Sequence, residues 1–65
     1  MGDEAKNLAI AACQRSGWAW TEPIHVKGGV NFCEFLTNAN YLGGNLIIQI
    51  DATTGLVRKA VFYNR

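Results

Sequence analysis

The chain has 65 residues, a length that suits one small domain spanning residues 1–65. Its hydrophobic content of 49% excludes a disordered chain, and its net charge of +1 provides neither a nucleic-acid footprint nor an acidic tail. No apolar run approaches the roughly 20 residues of a membrane-spanning helix. We therefore expect a globular domain with no membrane span.

The first predicted element is a helix over residues 3–16. At about 100° per residue, its apolar side chains fall on one arc, formed by Ala5, Leu8, Ala9, Ala12 and Cys13. Gly17 follows, where a glycine in the left-handed conformation commonly ends a helix. Because the predicted buried face is mostly alanine, we expect this helix to lie close against a flat partner such as a sheet.

After Gly17 the composition shifts to aromatic and β-branched residues, which favour strands. Residues 22–26 suit an edge strand, because Pro23 has no N–H to contribute to a ladder. Gly28-Gly29 indicates a turn. A second strand is predicted over 30–37, with apolar residues on both of its faces. One face carries Asn31, Cys33, Phe35 and Thr37, and the other carries Val30, Phe32, Glu34 and Leu36.

The clearest strand is 45–51, in which Leu46, Ile48 and Ile50 point to one side. Residues 52–55 turn the chain, and 56–63 form the last strand. Neither face of this last strand is cleanly apolar, so we expect a β-bulge that changes the face midway. Short connections favour antiparallel pairing. The predicted fold class is α+β, with one N-terminal helix packed on a three- to four-stranded antiparallel sheet.

One helix of this length cannot cover both faces of such a sheet. An exposed apolar sheet face usually marks a partner surface, and we place it on the second face of strand 30–37. The candidate interface residues are Phe32, Glu34, Leu36, Ile47 and Tyr63. The expected partner is a second copy in a homodimer or another protein.

Four short segments carry a resemblance to known proteins. They are WTEP at 20–23, TNA at 37–39, GGN at 43–45 and IDATTGLV at 50–57. The last two of these segments follow a predicted helix and two predicted strands. In this order of elements and segments, the chain resembles the small PepSY-like domains. It resembles more closely some short bacterial proteins that share these segments. Some immunity proteins of bacterial toxin systems end in a similar hairpin.

The resemblance covers most of the chain and implies a cystatin-like arrangement of one helix on an antiparallel sheet. It implies a domain that binds or inhibits rather than catalyses, and it supplies no catalytic residues. PepSY domains are typically secreted or membrane-associated. The start of this sequence has no cationic segment leading into an apolar one, so we expect a cytoplasmic protein, with a secreted mature form as the alternative.

The glycines and the aspartate of residues 43–55 are candidates for a ligand site. Phosphate-binding glycine loops lead into a helix, whereas Gly43-Gly44 leads into a β-branched strand and predicts a turn with positive φ. Asp51 has too few neighbouring oxygens for calcium. We predict that it accepts hydrogen bonds from N–H groups of the turn, with Gly55 left-handed. No metal or cofactor is expected.

His25, Cys13 and Cys33 supply three of the four ligands that a structural zinc needs. Apolar surroundings raise a thiol pKa and disfavour catalysis. We expect two reduced, buried cysteines, with a single disulfide as the alternative. Nucleic acid is not an expected partner, because the aromatic residues that would stack on bases have few cations beside them. The residues concerned are Trp18, Trp20, Tyr41, Tyr63, Arg58, Lys59 and Arg65.

These patterns favour a non-catalytic protein-binding or inhibitory module that acts through an exposed apolar sheet face or edge. The alternative is a stand-alone homodimer with a structural or small-ligand-binding role, in which the sheet face is the dimer interface. An enzyme is disfavoured, because the sequence nominates no convergent acid, base and nucleophile.

Overall fold

The computed structural model describes residues 2–63 of the chain. Its elements in chain order are α1 (Gly2–Arg15), β1 (His25–Gly29), β2 (Phe32–Leu36), β3 (Asn45–Asp51) and β4 (Val57–Tyr63). The strands form one antiparallel sheet in the order β1-β2-β3-β4, and α1 packs on β2 and β3. The α+β prediction is confirmed. No helix of this part of the chain is long and apolar enough to cross a membrane.

Helix α1 buries an alanine-rich face against the sheet, and its core residues are Ala9, Ala12 and Cys13. It begins at Gly2, one residue before the predicted start. Leu8 was expected on the buried arc but is 38% exposed. Its Cδ1 lies beside Gly55, so Leu8 leans over the β3–β4 turn at the margin of the sheet.

The helix ends at Arg15 and is closed by Gly17, the glycine that the sequence indicates. Gly17 has a positive φ of 77°. Its N–H donates to the carbonyl of Gln14, and the N–H of Trp18 donates to the carbonyl of Cys13. This is the Schellman pattern, in which a left-handed residue lets the chain turn back and satisfy the last helical carbonyls. The Cys13 thiol in turn donates to the carbonyl of Trp18, at 3.0 Å.

The two tryptophans after the helix extend the cover over the sheet. Trp18 stacks on Phe62 of β4 with ring centroids 5.8 Å apart, and Trp20 lies tilted against Phe35 of β2 at 6.2 Å. The buried sheet residues beneath the helix and this connector are Phe35, Leu46, Ile48 and Ile50. The prediction for strand 45–51 is therefore confirmed in both its bounds and its buried side.

The first hairpin differs from the prediction. The first strand is His25–Gly29 rather than 22–26, so Gly28 and Gly29 lie inside a strand and not in a turn. The turn is formed by Val30 and Asn31, and Asn31 has a φ of 64°. Val30 is consequently 84% exposed instead of belonging to the second strand, which is limited to Phe32–Leu36.

A buried amide holds the connection between β2 and β3. The Asn45 side chain donates to the carbonyls of Thr37 and Asn38 and accepts from the N–H of Gly43. The Thr37 hydroxyl accepts from the N–H of Leu46. These bonds satisfy polar groups that the loop would otherwise bury without partners, a cost of about 1–3 kcal/mol each.

The last strand contains the predicted bulge. Gln49 pairs with Lys59, but the next β3 residue, Ile50, pairs with Val57, so Arg58 is an extra residue in β4. Val57 therefore shares the helix-side face with Ile50, while Lys59 shares the opposite face with Gln49. This change of face explains why neither alternating set of the sequence is apolar throughout.

Candidate functional site

One face of the sheet is covered by α1, and no helix or strand within residues 2–63 packs on the other, which we call the open face. Residues directly opposite each other in antiparallel strands point to the same face, so the register assigns the side chains. All five predicted interface residues lie on the open face: Phe32, Glu34, Leu36, Ile47 and Tyr63. The face of β2 that meets the helix carries Cys33 and Phe35.

Three apolar side chains form a line across the open face, and we call them the apolar row. Leu36 of β2 is opposite Ile47 of β3, which is opposite Val61 of β4. All three are half-buried. On β1 the row continues to His25, which is exposed.

A second line of side chains is polar and runs parallel to the first. This polar row consists of Lys27, Glu34, Gln49 and Lys59, one residue from each strand. The Gln49 amide donates to the Glu34 carboxylate at 2.7 Å. The open face is therefore not apolar throughout. Strand β2 contributes Phe32 and Leu36 to it, but Glu34 between them joins a polar line that crosses all four strands.

Phe32 lies on the other side of the polar row. A Cβ placed on Gly29 would overlap the Phe32 ring, so the ring lies directly over the glycine backbone. The Arg58 guanidinium lies 5.0 Å from the ring centroid, within the distance of a cation–π contact. The open face thus has two separate apolar areas, the apolar row and Phe32, divided by polar side chains.

Sequence reasoning did not identify Val61, Lys27, Gln49 or Lys59 as parts of this surface. Their positions depend on strand register and on the bulge at Arg58, which sets the face of every later residue in β4. The available signal was the clean alternation of strand 45–51, because the partners of Ile47 and Gln49 follow from it once the hairpin turns are fixed.

Asp51 has the structural role that the sequence predicts. Its Oδ1 accepts from the N–H groups of Thr53 and Thr54, at 2.8 and 2.9 Å. These hydrogen bonds, first from Thr54 and then from Thr53, hold the pKa of the Asp51 carboxyl below its ordinary value. Gly55 is left-handed with a φ of 75°, as expected. The carboxylate is thus engaged in closing the hairpin.

Gly43 and Gly44 have positive φ values of 93° and 67°, which confirms the predicted turn. They lead into β3 and not into a helix, so no set of helix N-terminal N–H groups lies beside them. A Cβ on Gly44 would lie 3.3 Å from the side-chain nitrogen of Asn38. The glycines therefore serve the close packing of this loop.

An open cavity of about 560 Å³ lies between the start of α1 and the β3–β4 turn. Its lining includes the apolar residues Ala5 and Ile50, the thiol of Cys33, and the carboxylates of Glu4 and Asp51. Of these groups, the Asp51 carboxylate is engaged by the N–H groups of Thr53 and Thr54.

The other candidates for chemistry lie apart. His25 points to the open face, whereas Cys33 and Cys13 lie on the helix side of the sheet. Both cysteines are free; Cys13 is buried as expected, whereas Cys33 is only half-buried. Burial raises the pKa of the Cys13 thiol. Among the side chains that the structure describes, those of residues 4–63, no group of three or more His, Cys, Asp or Glu residues is placed to hold a metal.

The aromatic residues considered for nucleic acid are dispersed. Trp18 and Trp20 pack on the helix side of the sheet, whereas Tyr63 and the guanidinium of Arg58 lie on the open face. Arg65 lies outside the described residues. Lys59 also lies on the open face, as part of the polar row.

Comparisons of the chain with family models, curated proteins and solved structures find no match. The resemblance to PepSY-like domains and immunity proteins stays a prediction, and the function has to be inferred from the residues themselves.

Proposed function

We propose that this chain is a non-catalytic protein-binding module, of inhibitory type, that engages another protein through its open face. The observation that carries the proposal is the placement of Phe32, Leu36, Ile47 and Tyr63 together on a sheet face that no described helix or strand covers. The PepSY-like and immunity-like resemblance of the sequence points in the same direction.

The chemistry of the open face suits a partner that supplies both apolar and polar contacts. The apolar row offers a narrow hydrophobic line, and the polar row beside it offers Lys27 and Lys59 at its two ends. A partner with apolar side chains flanked by carboxylates would match both rows, since protein interfaces combine an apolar centre with a polar rim. The polar row disfavours a face-to-face homodimer, because stacking two such faces brings lysines into an interface without a carboxylate for each.

The test is capture of a partner from a lysate of the source organism with immobilised protein. We expect Leu36→Asp to abolish capture, because a carboxylate in the centre of the apolar row would be desolvated by the partner. Leu36 is half-buried, so the variant is expected to remain folded at the temperature of the assay.

Leu56→Asp is the matched control, because Leu56 is 67% exposed and lies before β4, outside the open face. It should capture the partner as the parent does. The proposal would be contradicted if both variants lost capture of the partner equally. It would also be contradicted if the loss of capture followed the fall in melting temperature rather than the location of the substitution on the open face. Phe32→Asp tests a second position on the open face. We expect this substitution to change assembly with the partner more than it changes the melting temperature.

A further inference from the structure

The sheet has two edge strands, and they differ in how well they can accept another strand. β1 contains five residues and ends in Gly28 and Gly29, which weaken a strand. β4 contains seven residues, mostly β-branched, aromatic or alanine, and six of them are exposed. An exposed edge of this length offers a row of unpaired N–H and C=O groups to another chain.

The hydrogen bonds of the sheet determine which β4 groups point outward. The N–H of Thr37 donates to the carbonyl of Leu46, so the backbone of Leu46 is directed at β2. Because direction alternates along a strand, the backbone of Ile47 is directed at β4, and its partner Val61 is directed back at β3. The N–H and C=O groups of Ala60 and Phe62 therefore point away from the sheet.

We propose that β4 pairs antiparallel with β4 of a second copy, with Val61 opposite Val61 of that copy on a twofold axis. In this register Ala60 is opposite Phe62 of the second copy. Both have outward-directed backbones, so the two symmetry-related pairs can exchange about four hydrogen bonds. When two copies of one strand pair through the same edge about a twofold axis, they run antiparallel. The result is a closed dimer.

Side chains on both faces fit this register. On the open face the apolar row meets its own copy, giving a continuous line from Leu36 through Ile47 and Val61 to the same three residues of the second copy. On the helix side the small Ala60 faces the large Phe62, which is 40% exposed and carries the stacked Trp18. A small residue opposite a ring leaves room for it.

Charge also selects this register. Lys59 is brought opposite Tyr63 of the second copy, a pairing with a favourable cation–aromatic component. A register moved two residues toward the turn would centre on Lys59 and oppose it to itself, and like charges directly opposite are destabilising. The register centred on Ala60 would oppose Phe62 to Arg58, where the bulge interrupts the ladder.

The first measurement is the molar mass of the intact protein by light scattering and sedimentation, from micromolar to millimolar concentration. We expect a monomer–dimer equilibrium, and we expect Ala60→Pro to remain monomeric and folded. Proline removes only an outward N–H at this position, so the β3–β4 ladder is kept. Val61→Pro is the control, since it removes an N–H directed at β3 and should lower the melting temperature. A monomeric parent, or a folded Ala60→Pro that dimerises as the parent does, overturns the proposal.

The second measurement tests the register by oxidative cross-linking. In Val61→Cys the two introduced thiols lie on a non-hydrogen-bonded pair with Cα atoms about 4.5 Å apart, within the range of a disulfide. We expect this variant to form a covalent dimer readily. Lys59→Cys is the matched control, because its two copies are roughly 13 Å apart along the strands in this register. Equal cross-linking of both, or none in Val61→Cys, overturns the register.

This inference does not depend on the proposed protein partner. Self-association is measured on the purified chain alone, whereas partner capture is measured against a lysate. Leu36→Asp separates the two further, because it should abolish capture while leaving the β4 cross-link of Val61→Cys in place. Loss of either result thus identifies which of the two proposals has failed.

Discussion

At the scale of single residues, the pair Gly29 and Phe32 shows how a glycine can be required by a neighbour rather than by its own backbone. The two residues are directly opposite in β1 and β2, and the aromatic ring occupies the space of the missing side chain. In the sequence, Gly28-Gly29 has the composition of a turn. Its true role becomes visible only with the register, because the register brings Phe32 over one of the two glycines.

We expect Gly29→Ala to lower the free energy of unfolding by about 1 kcal/mol relative to Gly28→Ala, because it displaces the ring and its cation–π contact with Arg58. A Cβ placed on Gly28 would meet no atom within 4 Å, so substitution of that glycine provides the control. Both variants are measured by urea denaturation. Equal stabilities of the two would contradict the packing of Phe32 over Gly29.

At the scale of elements, the β3–β4 hairpin is the part of the molecule that the sequence predicts best. Asp51, the two threonines after it and Gly55 specify the turn through hydrogen bonds and φ values that involve only near neighbours. The closure of the helix by Gly17 was predictable for the same reason. Features that depend on pairing across the sheet were not predictable in this way, including the polar row and the bounds of β1.

The Asp51 turn makes a pH-dependent contribution to stability. The folded-state pKa of Asp51 is lowered by the N–H groups of Thr54 and Thr53, so the contribution is fully present above the unfolded pKa of about 3.9. It is lost as the pH falls through the folded pKa. We expect Asp51→Asn to melt at a lower temperature than the parent at neutral pH, and this difference to shrink below about pH 4.

Thermal melts of the two proteins across this pH range test the prediction. Thr53→Ala is the control, because it keeps the backbone N–H that donates to Asp51 and should retain the parent's pH dependence. A difference between the parent and Asp51→Asn that stays constant into acid would show that the ionised carboxylate does not stabilise the turn.

At the scale of the whole molecule, the domain is a thin layer of helix on one side of a sheet. The candidate interface was predictable in part, since the alternation within β2 puts Phe32 and Leu36 on one face, whereas the placement of Ile47 on that same face depends on the register. Its division into two apolar areas was not, because the polar row requires one residue from each of four paired strands. The two cysteines lie in different environments.

We expect alkylating reagents to modify Cys33 before Cys13 in the folded protein. Cys13 is fully buried between the helix and the sheet and its pKa is raised by burial, whereas Cys33 is half-buried and lines the open cavity. Modification of Cys13 should therefore follow opening of the helix from the sheet. Peptide mapping by mass spectrometry over time measures both rates. Equal rates for the two thiols would show that α1 is not stably packed.

Because of the bulge at Arg58, the hairpin can be shortened by one residue without changing the face on which the β4 side chains lie. Because Arg58 is an extra residue between Val57 and Lys59, its loss would leave both neighbours on their present faces. The loss of Ala60 would instead turn over Val61 and every residue after it. We therefore expect the sheet to tolerate deletion of one residue at Arg58 and not two residues later, at Ala60.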